Sequence, residues 1–249
     1  MKAMILAAGL GTRLRPLTNT IPKPLLPIAG TPLIVWNLLL LKRHGFHDVV
    51  INLHHLGPMV EQAVGNGSKY GLRIYYSHEP VILGTGGAIK QAEQNFSGEP
   101  VLVLNGDTLF ELDLEALCAF HQRRQAAATL VLRSDPDAAR WGVVEVEADD
   151  RIVRITGRGR PDAAATKPRM FAGIHILNPR LLRDVPKGMP SSIIDAYVAA
   201  IQRGDLVAGY ELTGYWSDVG TPEGYAHAEH DATSGLIRLS ERLPTAPLV

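Results

Sequence analysis

Residues 4–24 read MILAAGLGTRLRPLTNTIPKP, a short apolar run that breaks into glycines and then turns basic, and none of the first 47 residues is acidic. Without side chains at Gly9 and Gly11, main-chain amides can approach a phosphate closely, and the guanidinium of Arg13 adds a two-pronged donor. Glycines in this number are also what a plain tight turn requires. A dinucleotide fold would need a third glycine opening a helix and an acid further along to hold a ribose. Here the third glycine position holds Leu14, Pro16 interrupts any helix, and the region downstream carries Lys23. No GxxxxGK[ST] segment occurs either. Two separate cations, Arg13 and Lys23, on loops stiffened by Pro16, Pro22 and Pro24 suit a triphosphate whose departing pyrophosphate must be neutralised.

Such a site needs carboxylates for a metal, and two segments supply them. Val101–Leu104 is an apolar run ending in Asn105-Gly106-Asp107, which puts Asp107 at the carboxyl edge of a sheet, where open α/β folds bind ligands. Asp218 lies between the Tyr215-Trp216 pair and a Gly-Thr-Pro turn. Two carboxylates plus phosphate oxygens suffice for Mg²⁺, which rarely occupies an all-protein cage. Asp135 and Asp137 flank Pro136 in a polar loop and are expected to face solvent. The segment HEPVILGTGGA, residues 78–88, brings glycines again, and a nucleobase could lie against such a backbone. Glu79, an acceptor only, would match an N–H of guanine, uracil or thymine.

The elements that must position these groups follow from the hydrophobic pattern. Strand-like runs at Lys2–Leu6, Val49–Ile51, Arg73–Ser77, Val101–Leu104, Thr129–Arg133, Phe171–Leu177 and Val207–Glu211 alternate with helical patterns. The helices are expected at Leu33–His44, Pro58–Val64, Ala88–Asn95, after an Asp113 cap, and at Ser192–Gln202 with Gly204 as its stop. Trp141–Glu147 and Arg151–Ile155 alternate around a turn, which predicts an antiparallel hairpin. Residues 158–168 read as a mobile loop, and a short helix then a loose tail is expected from Ala232. The fold class is therefore α/β: a mostly parallel sheet flanked by helices, with an added antiparallel hairpin. Residues 1–231 are expected to form one domain and 232–249 a tail.

The 249 residues carry 25 basic and 25 acidic side chains, so no broad surface for nucleic acid or an anionic membrane is expected. One cysteine, Cys118, excludes an internal disulfide framework and fits a cytoplasmic protein. The N-terminal run is a poor secretory signal, and the longest apolar stretch, Leu33–Leu41, is too short to span a bilayer. Ile193, Ile194, Tyr197, Val198 and Ile201 read as core, and the chain is expected as a monomer or homodimer.

With LAAGLGTRLRPLT followed by PKP, then LGTGGAI, LNGD, WGVVE, FAGIHIL and WSDVGTP in that order, the chain resembles the sugar-1-phosphate nucleotidylyltransferases over roughly residues 1–230. The resemblance implies a Rossmann-like mixed, mostly parallel sheet and transfer of a nucleotidyl group from a nucleoside triphosphate to a sugar 1-phosphate, releasing pyrophosphate, with Mg²⁺. It implies that Ala8, Gly9, Gly11 and Thr12 cradle the triphosphate, with Arg13 and Lys23 neutralising it. Asp107 and Asp218 would hold the metal, Asp107 joining Arg13 and Lys23 as a catalytic residue. Glu79 and Gly84 would line the base, while Asn105, Gly142, Glu145, Arg158 and Gly173 would meet the sugar phosphate. Where many relatives read phenylalanine, any residue, then Glu-Lys-Pro after the hairpin, this chain has ITGRGRP, and Arg158 or Arg160 stands in for that lysine. The motif variants look most like mannose- or heptose-1-phosphate guanylyltransferases. N-acetylmuramate-1-phosphate uridylyltransferases come close behind through INLHHLG and GNGSKYGL, and glucose-1-phosphate thymidylyl- or uridylyltransferases remain an alternative. A non-catalytic nucleotide-sugar-binding protein would be expected to lack one of Arg13, Lys23, Asp107 and Asp218, and all four are present.

Overall fold

The computed structural model describes residues 1–136, 138–163 and 167–237, with only the backbone of Lys167. Asp137, residues 164–166 of the expected loop and residues 238–249 of the expected tail lie outside the described residues. Along the chain, β1 (Lys2–Leu6), β2 (Pro27–Ile28), β3 (Thr31–Pro32), α1 (Leu33–Arg43), β4 (Asp48–Leu53), α2 (Gly57–Val64) and β5 (Arg73–His78) come first. Then follow α3 (Gly84–Ala92), β6 (Val101–Asn105), β7 (Thr108–Phe110), α4 (Leu114–Arg124) and β8 (Ala128–Arg133). The last part holds α5 (Ala138–Trp141), β9 (Val143–Val146), β10 (Ile152–Ile155), β11 (Arg158–Gly159) and β12 (Lys167–Leu177). It closes with α6 (Ile193–Arg203), β13 (Val207–Glu211), β14 (Trp216–Asp218) and α7 (Pro222–Thr233). The sheet is mixed and flanked by helices, as the alternating pattern predicts.

The described chain divides into two compact units. The first comprises Lys2–Ile82, Leu104–Leu112 and the chain from Gly214 onward; the second holds Met1, Leu83–Val103 and Asp113–Thr213. In the first unit β1, β4 and β5 are parallel neighbours, with Ile5 opposite Ile51 and Ile51 opposite Tyr76. Met4, Ile5, Val49, Val50 and Ile51 are fully buried, which is why β1 and β4 read as apolar runs without alternation. The same unit contains a small antiparallel ribbon of β7 and β14, pairing Thr108 with Asp218, Leu109 with Ser217 and Phe110 with Trp216. Leu109 and Val219 sink into a cluster with Ile28, Leu33, Ala228 and Ile237. Helix α7 closes that cluster. Thr221 caps it by accepting from the Gly224 amide, and Tyr225 donates its hydroxyl proton to the Pro27 carbonyl. Tyr215 donates to Asp231, tying the ribbon to the same helix.

In the second unit β9, β10 and β11 form the expected antiparallel hairpin and its extension, β12 pairs with β9 and β8, and β13 runs parallel to β8. Asp113 caps α4 as the sequence predicts, Ser192 caps α6, and Gly204 ends α6 in a left-handed conformation. Ile193, Tyr197, Val198 and Ile201 are core residues, whereas Ile194, also expected there, is only half-buried.

Four boundaries differ from the sequence reading. The Gly84–Gly87 run is helical, since α3 starts at Gly84, and a 3₁₀ turn over Glu93–Phe96 replaces its expected end. Trp141 ends a four-residue helix and does not begin the hairpin strand. The expected loop 158–168 contains β11 at one end and the start of β12 at the other. The last helix begins at Pro222, where proline suits the first turn, and is ending where Ala232 was expected to start one. Among the described residues, no helix is long and apolar enough to cross a membrane.

Because Leu109 is 3% exposed within the ribbon's cluster, Leu109→Ala should lower stability by about 2–5 kcal/mol in urea unfolding. The expected companion result is loss of turnover, since the cavity forms directly under the strand that follows Asp107.

Candidate active site

Within the first unit the glycine-rich turn follows directly from β1. Gly11 is in the left-handed region, with φ of 63°, and Thr18 locks it there: the Thr18 hydroxyl donates to the Gly11 carbonyl at 2.7 Å. A Cβ on Gly11 would stand 2.8 Å from the Thr18 methyl, so both strain and contact demand glycine. Ala8 is buried, whereas Gly9, Thr12 and Arg13 are exposed.

Lys23 stands in a 3₁₀ turn between Pro22 and Pro24 and is 8% exposed. Its Nζ donates to Asp107 Oδ2 at 2.7 Å, so one predicted cation and one predicted metal ligand are already paired. Asp107 is placed by Gly106, whose amide donates to the Leu6 carbonyl at 2.9 Å. A Cβ there would lie 2.6 Å from that oxygen, so only glycine lets the end of β6 close onto the end of β1.

Asp218 comes from the far end of the chain. The Val219 amide donates to the Asp107 carbonyl at 2.9 Å, extending the ribbon by one bond and setting the two aspartates on adjacent strands. Burial first, then the Asp107 carboxylate, push the Asp218 carboxyl above its ordinary range, while Lys23, the Gly220 amide and Arg13 oppose that shift. Gly220 ties Arg13 to the cluster: a Cβ at this glycine would come 2.6 Å from Arg13 Nη2 and 2.8 Å from Asp218 Oδ1. Arg13, Lys23, Asp107 and Asp218 are thus brought together.

The donor set has a clear chemical bias. Two crowded carboxylates with no imidazole or thiol suit a hard cation such as Mg²⁺, and the strain on Asp218 is the kind a divalent charge relieves. Among the described residues no group of three or more His, Cys, Asp or Glu could hold a metal alone. Phosphate or water oxygens must complete the shell.

Glu79 is 4% exposed and belongs to a network that sequence reasoning missed. The Ala7 amide donates to Asn52 Oδ1 at 2.7 Å, which fixes the amide's orientation, so Asn52 Nδ2 must donate to Glu79 Oε1, at 2.6 Å. His54 Nδ1 meets the Glu79 carbonyl at 2.7 Å and therefore carries the ring proton. A polar Asn52 near the end of the otherwise apolar β4 was the available signal.

The other predicted residues lie in the second unit, except Asn105, which ends β6 and belongs to the first. Gly84 opens α3 with φ of 66°, and a Cβ on Gly84, Gly86 or Gly87 would strike the backbone of Ser191, Ser192 or Met189. Thr85 accepts from the Ile193 amide, so LGTGG fastens α3 to the start of α6. Gly142 and Gly173 have φ of 92° and 77°. Glu145 is gripped by Arg154 at 2.9 and 2.6 Å, and Arg158 is paired with Asp195 at 2.7 Å. The buried histidines are structural: His121 pairs with Thr129 and His175 with Tyr197, burial holding His175 down at about 3.

This arrangement, a glycine turn with two cations facing two carboxylates at a sheet edge, is that of an enzyme that moves nucleotidyl groups. The family model for nucleotidyl transferases matches residues 2–235. The chain is 40% identical over 228 residues to the N-acetylmuramate alpha-1-phosphate uridylyltransferase of Neisseria meningitidis, covering 89% of this chain and 94% of the relative. It is 32% identical to the mannose-1-phosphate guanylyltransferase of Mycobacterium tuberculosis, covering 94% of this chain but only 65% of that relative. The crystal structure of HddC from Yersinia pseudotuberculosis with GMP-PN superposes with a TM-score of 0.76 at 26% identity, covering 92% of this chain and 98% of that one. A UDP-glucose pyrophosphorylase bound to UDP-glucose shares the fold, with a TM-score of 0.78. The chain belongs to the nucleotidyl transferase family, among the sugar-1-phosphate nucleotidyltransferases.

A carboxyl with a raised folded pKa takes up protons on folding, so the metal-free protein should lose stability as pH rises from 3.8 through the raised Asp218 value. Asp218→Asn should remove that loss. Urea unfolding without metal should find the variant more stable than the parent at neutral pH, with the difference gone below pH 3.8.

Proposed function

We propose that this enzyme is a Mg²⁺-dependent uridylyltransferase for N-acetylmuramate 1-phosphate. The arrangement of Lys23, Asp107, Asp218 and Arg13 carries the reaction class. The substrate pair is supported by the Neisseria relative, which this chain matches along 94% of its length, whereas it spans about two thirds or less of the mannose- and glucose-1-phosphate relatives. That moves uracil ahead of guanine, and an N-acetylmuramyl acceptor ahead of mannose or heptose. The single thiol and the small soluble-substrate chemistry fit a cytoplasmic setting.

In this reading an oxygen of the sugar phosphate attacks the α-phosphorus in line, forming one O–P bond as the bond to the β-phosphate oxygen breaks. The nucleophile is already anionic near neutral pH, so no general base is needed and no histidine has a role in proton transfer. The amides of Ala8, Gly9, Gly11 and Thr12 hold the triphosphate, and Arg13 and Lys23 receive the charge that accumulates on pyrophosphate. Asp107 and Asp218 would hold Mg²⁺, which when bound screens the phosphates from one another. Lys23 also keeps Asp107 oriented before substrate arrives, through the bond at 2.7 Å. Glu79 serves the base and Asn105 the sugar phosphate; in the second unit Gly142, Glu145, Gly173 and Arg158 or Arg160 serve the sugar phosphate, while Gly84 is taken up by packing against Ser191.

A panel of UTP, GTP and dTTP against N-acetylmuramate, mannose and glucose 1-phosphates, read as pyrophosphate release, tests the substrate pair. The expected outcome is preference for UTP with N-acetylmuramate 1-phosphate; a preference for GTP with mannose 1-phosphate would overturn it. With the preferred pair, Asp107→Ala should abolish turnover and Arg13→Ala should slow it by about 10²- to 10³-fold.

A further inference from the structure

The strongest polar cluster left unexplained lies wholly in the second unit, around Arg154. Arg154 stands directly opposite Glu145 on the antiparallel pair β9 and β10. Its Nε donates to Glu145 Oε1 at 2.9 Å and its Nη2 to Oε2 at 2.6 Å, so the guanidinium grips both carboxylate oxygens. The remaining terminal nitrogen, Nη1, points at three carbonyls of the segment after β11: Arg160 at 3.0 Å, Pro161 at 3.4 Å and Ala163 at 3.3 Å. Both side chains are mostly covered, at 16% and 24% exposure, so these bonds are shielded from water.

The geometry gives the two partners different tasks. A carboxylate with each oxygen already held by a charged donor is a weaker acceptor for a sugar hydroxyl. The guanidinium, in contrast, reaches backbone that no other side chain is seen to hold among the described residues. Without Glu145 the Arg154 charge would be left half-buried and unpaired, so it would turn toward water and release the three carbonyls. The segment it fastens carries both candidate phosphate ligands. Arg158 is committed to Asp195, and Arg160 is exposed with no ion pair among the described residues.

We propose that Glu145 and Arg154 are positioning residues that act as one unit, Glu145 working through Arg154 to hold residues 160–163 in the shape that presents Arg160 to the acceptor. This rests on the sugar-phosphate reading above and replaces direct contact between Glu145 and the sugar.

The test compares Glu145→Ala, Arg154→Ala, the conservative Arg154→Lys and the double alanine variant in the full-length enzyme. Each single change should raise KM for the sugar 1-phosphate by roughly ten- to a hundredfold, with KM for the nucleotide within about twofold of the parent. The double variant should be no worse than Arg154→Ala alone. Trypsin gives a readout independent of the reaction: cleavage after Arg158 should speed up in every variant, while the Arg160–Pro161 bond resists trypsin throughout. Multiplying losses in the double variant would mean that Glu145 meets the sugar by itself, and would overturn the proposal. So would parent-like kinetics in Arg154→Lys, or unchanged cleavage in the alanine variants. If the parent releases no pyrophosphate with any sugar phosphate tested, the functional reading fails, and the cleavage rates still decide whether the pair holds the segment.

Discussion

Asp107 and Asp218 are held side by side although the Asp107 carboxylate makes the charge of Asp218 more costly. The ribbon of β7 and β14 enforces this, through the Val219 amide on the Asp107 carbonyl and through Leu109 and Val219 buried beneath. The hydrophobic cluster thus offsets an electrostatic penalty concentrated at one edge of the unit. Lys23 and Arg13 lessen the penalty without removing it, since the Asp218 carboxyl remains above its ordinary range. A site kept under this tension favours arrival of positive charge, which a metal accompanying a nucleotide brings.

Glycines do three separate jobs around this cluster. Gly11 supplies a left-handed turn locked by Thr18, Gly106 allows the close approach of β6 to β1, and Gly220 leaves room for Arg13 beside Asp218. The LGTGG glycines work differently. They resemble a ligand cradle in sequence, yet their open faces meet the backbone before α6. A glycine run therefore marks a close approach without saying whether a ligand or the protein itself makes it.

Much of the site was legible in the sequence because its cues are local. Lys23 lies between prolines, Asp107 ends an apolar strand, Asp218 precedes a Gly-Thr-Pro turn, and the cap Asp113 announces its helix. The three-residue strands β7 and β14 had no such cue, since they are too short for a period to show and their pairing spans half the chain. Asn52 and Arg154 were missed for a related reason. Their importance comes from what faces them across a strand pair, and cross-strand neighbours depend on register, which composition does not encode. The start of α3 was misplaced because glycine disfavours helices in isolation, and packing against residues 189–193 outweighs that preference here.

The ribbon also gives the order of synthesis a chemical meaning. While the chain is being made, the glycine turn, Lys23 and Asp107 exist long before Asp218, so the early product carries two cations against a single carboxylate. In the folded protein Lys23 and Asp107 neutralise one another. Only when the segment containing Trp216–Val219 returns to lie beside β7 does the charge balance tip toward accepting a cation. Competence for chemistry thereby waits on a segment made long after Asp107.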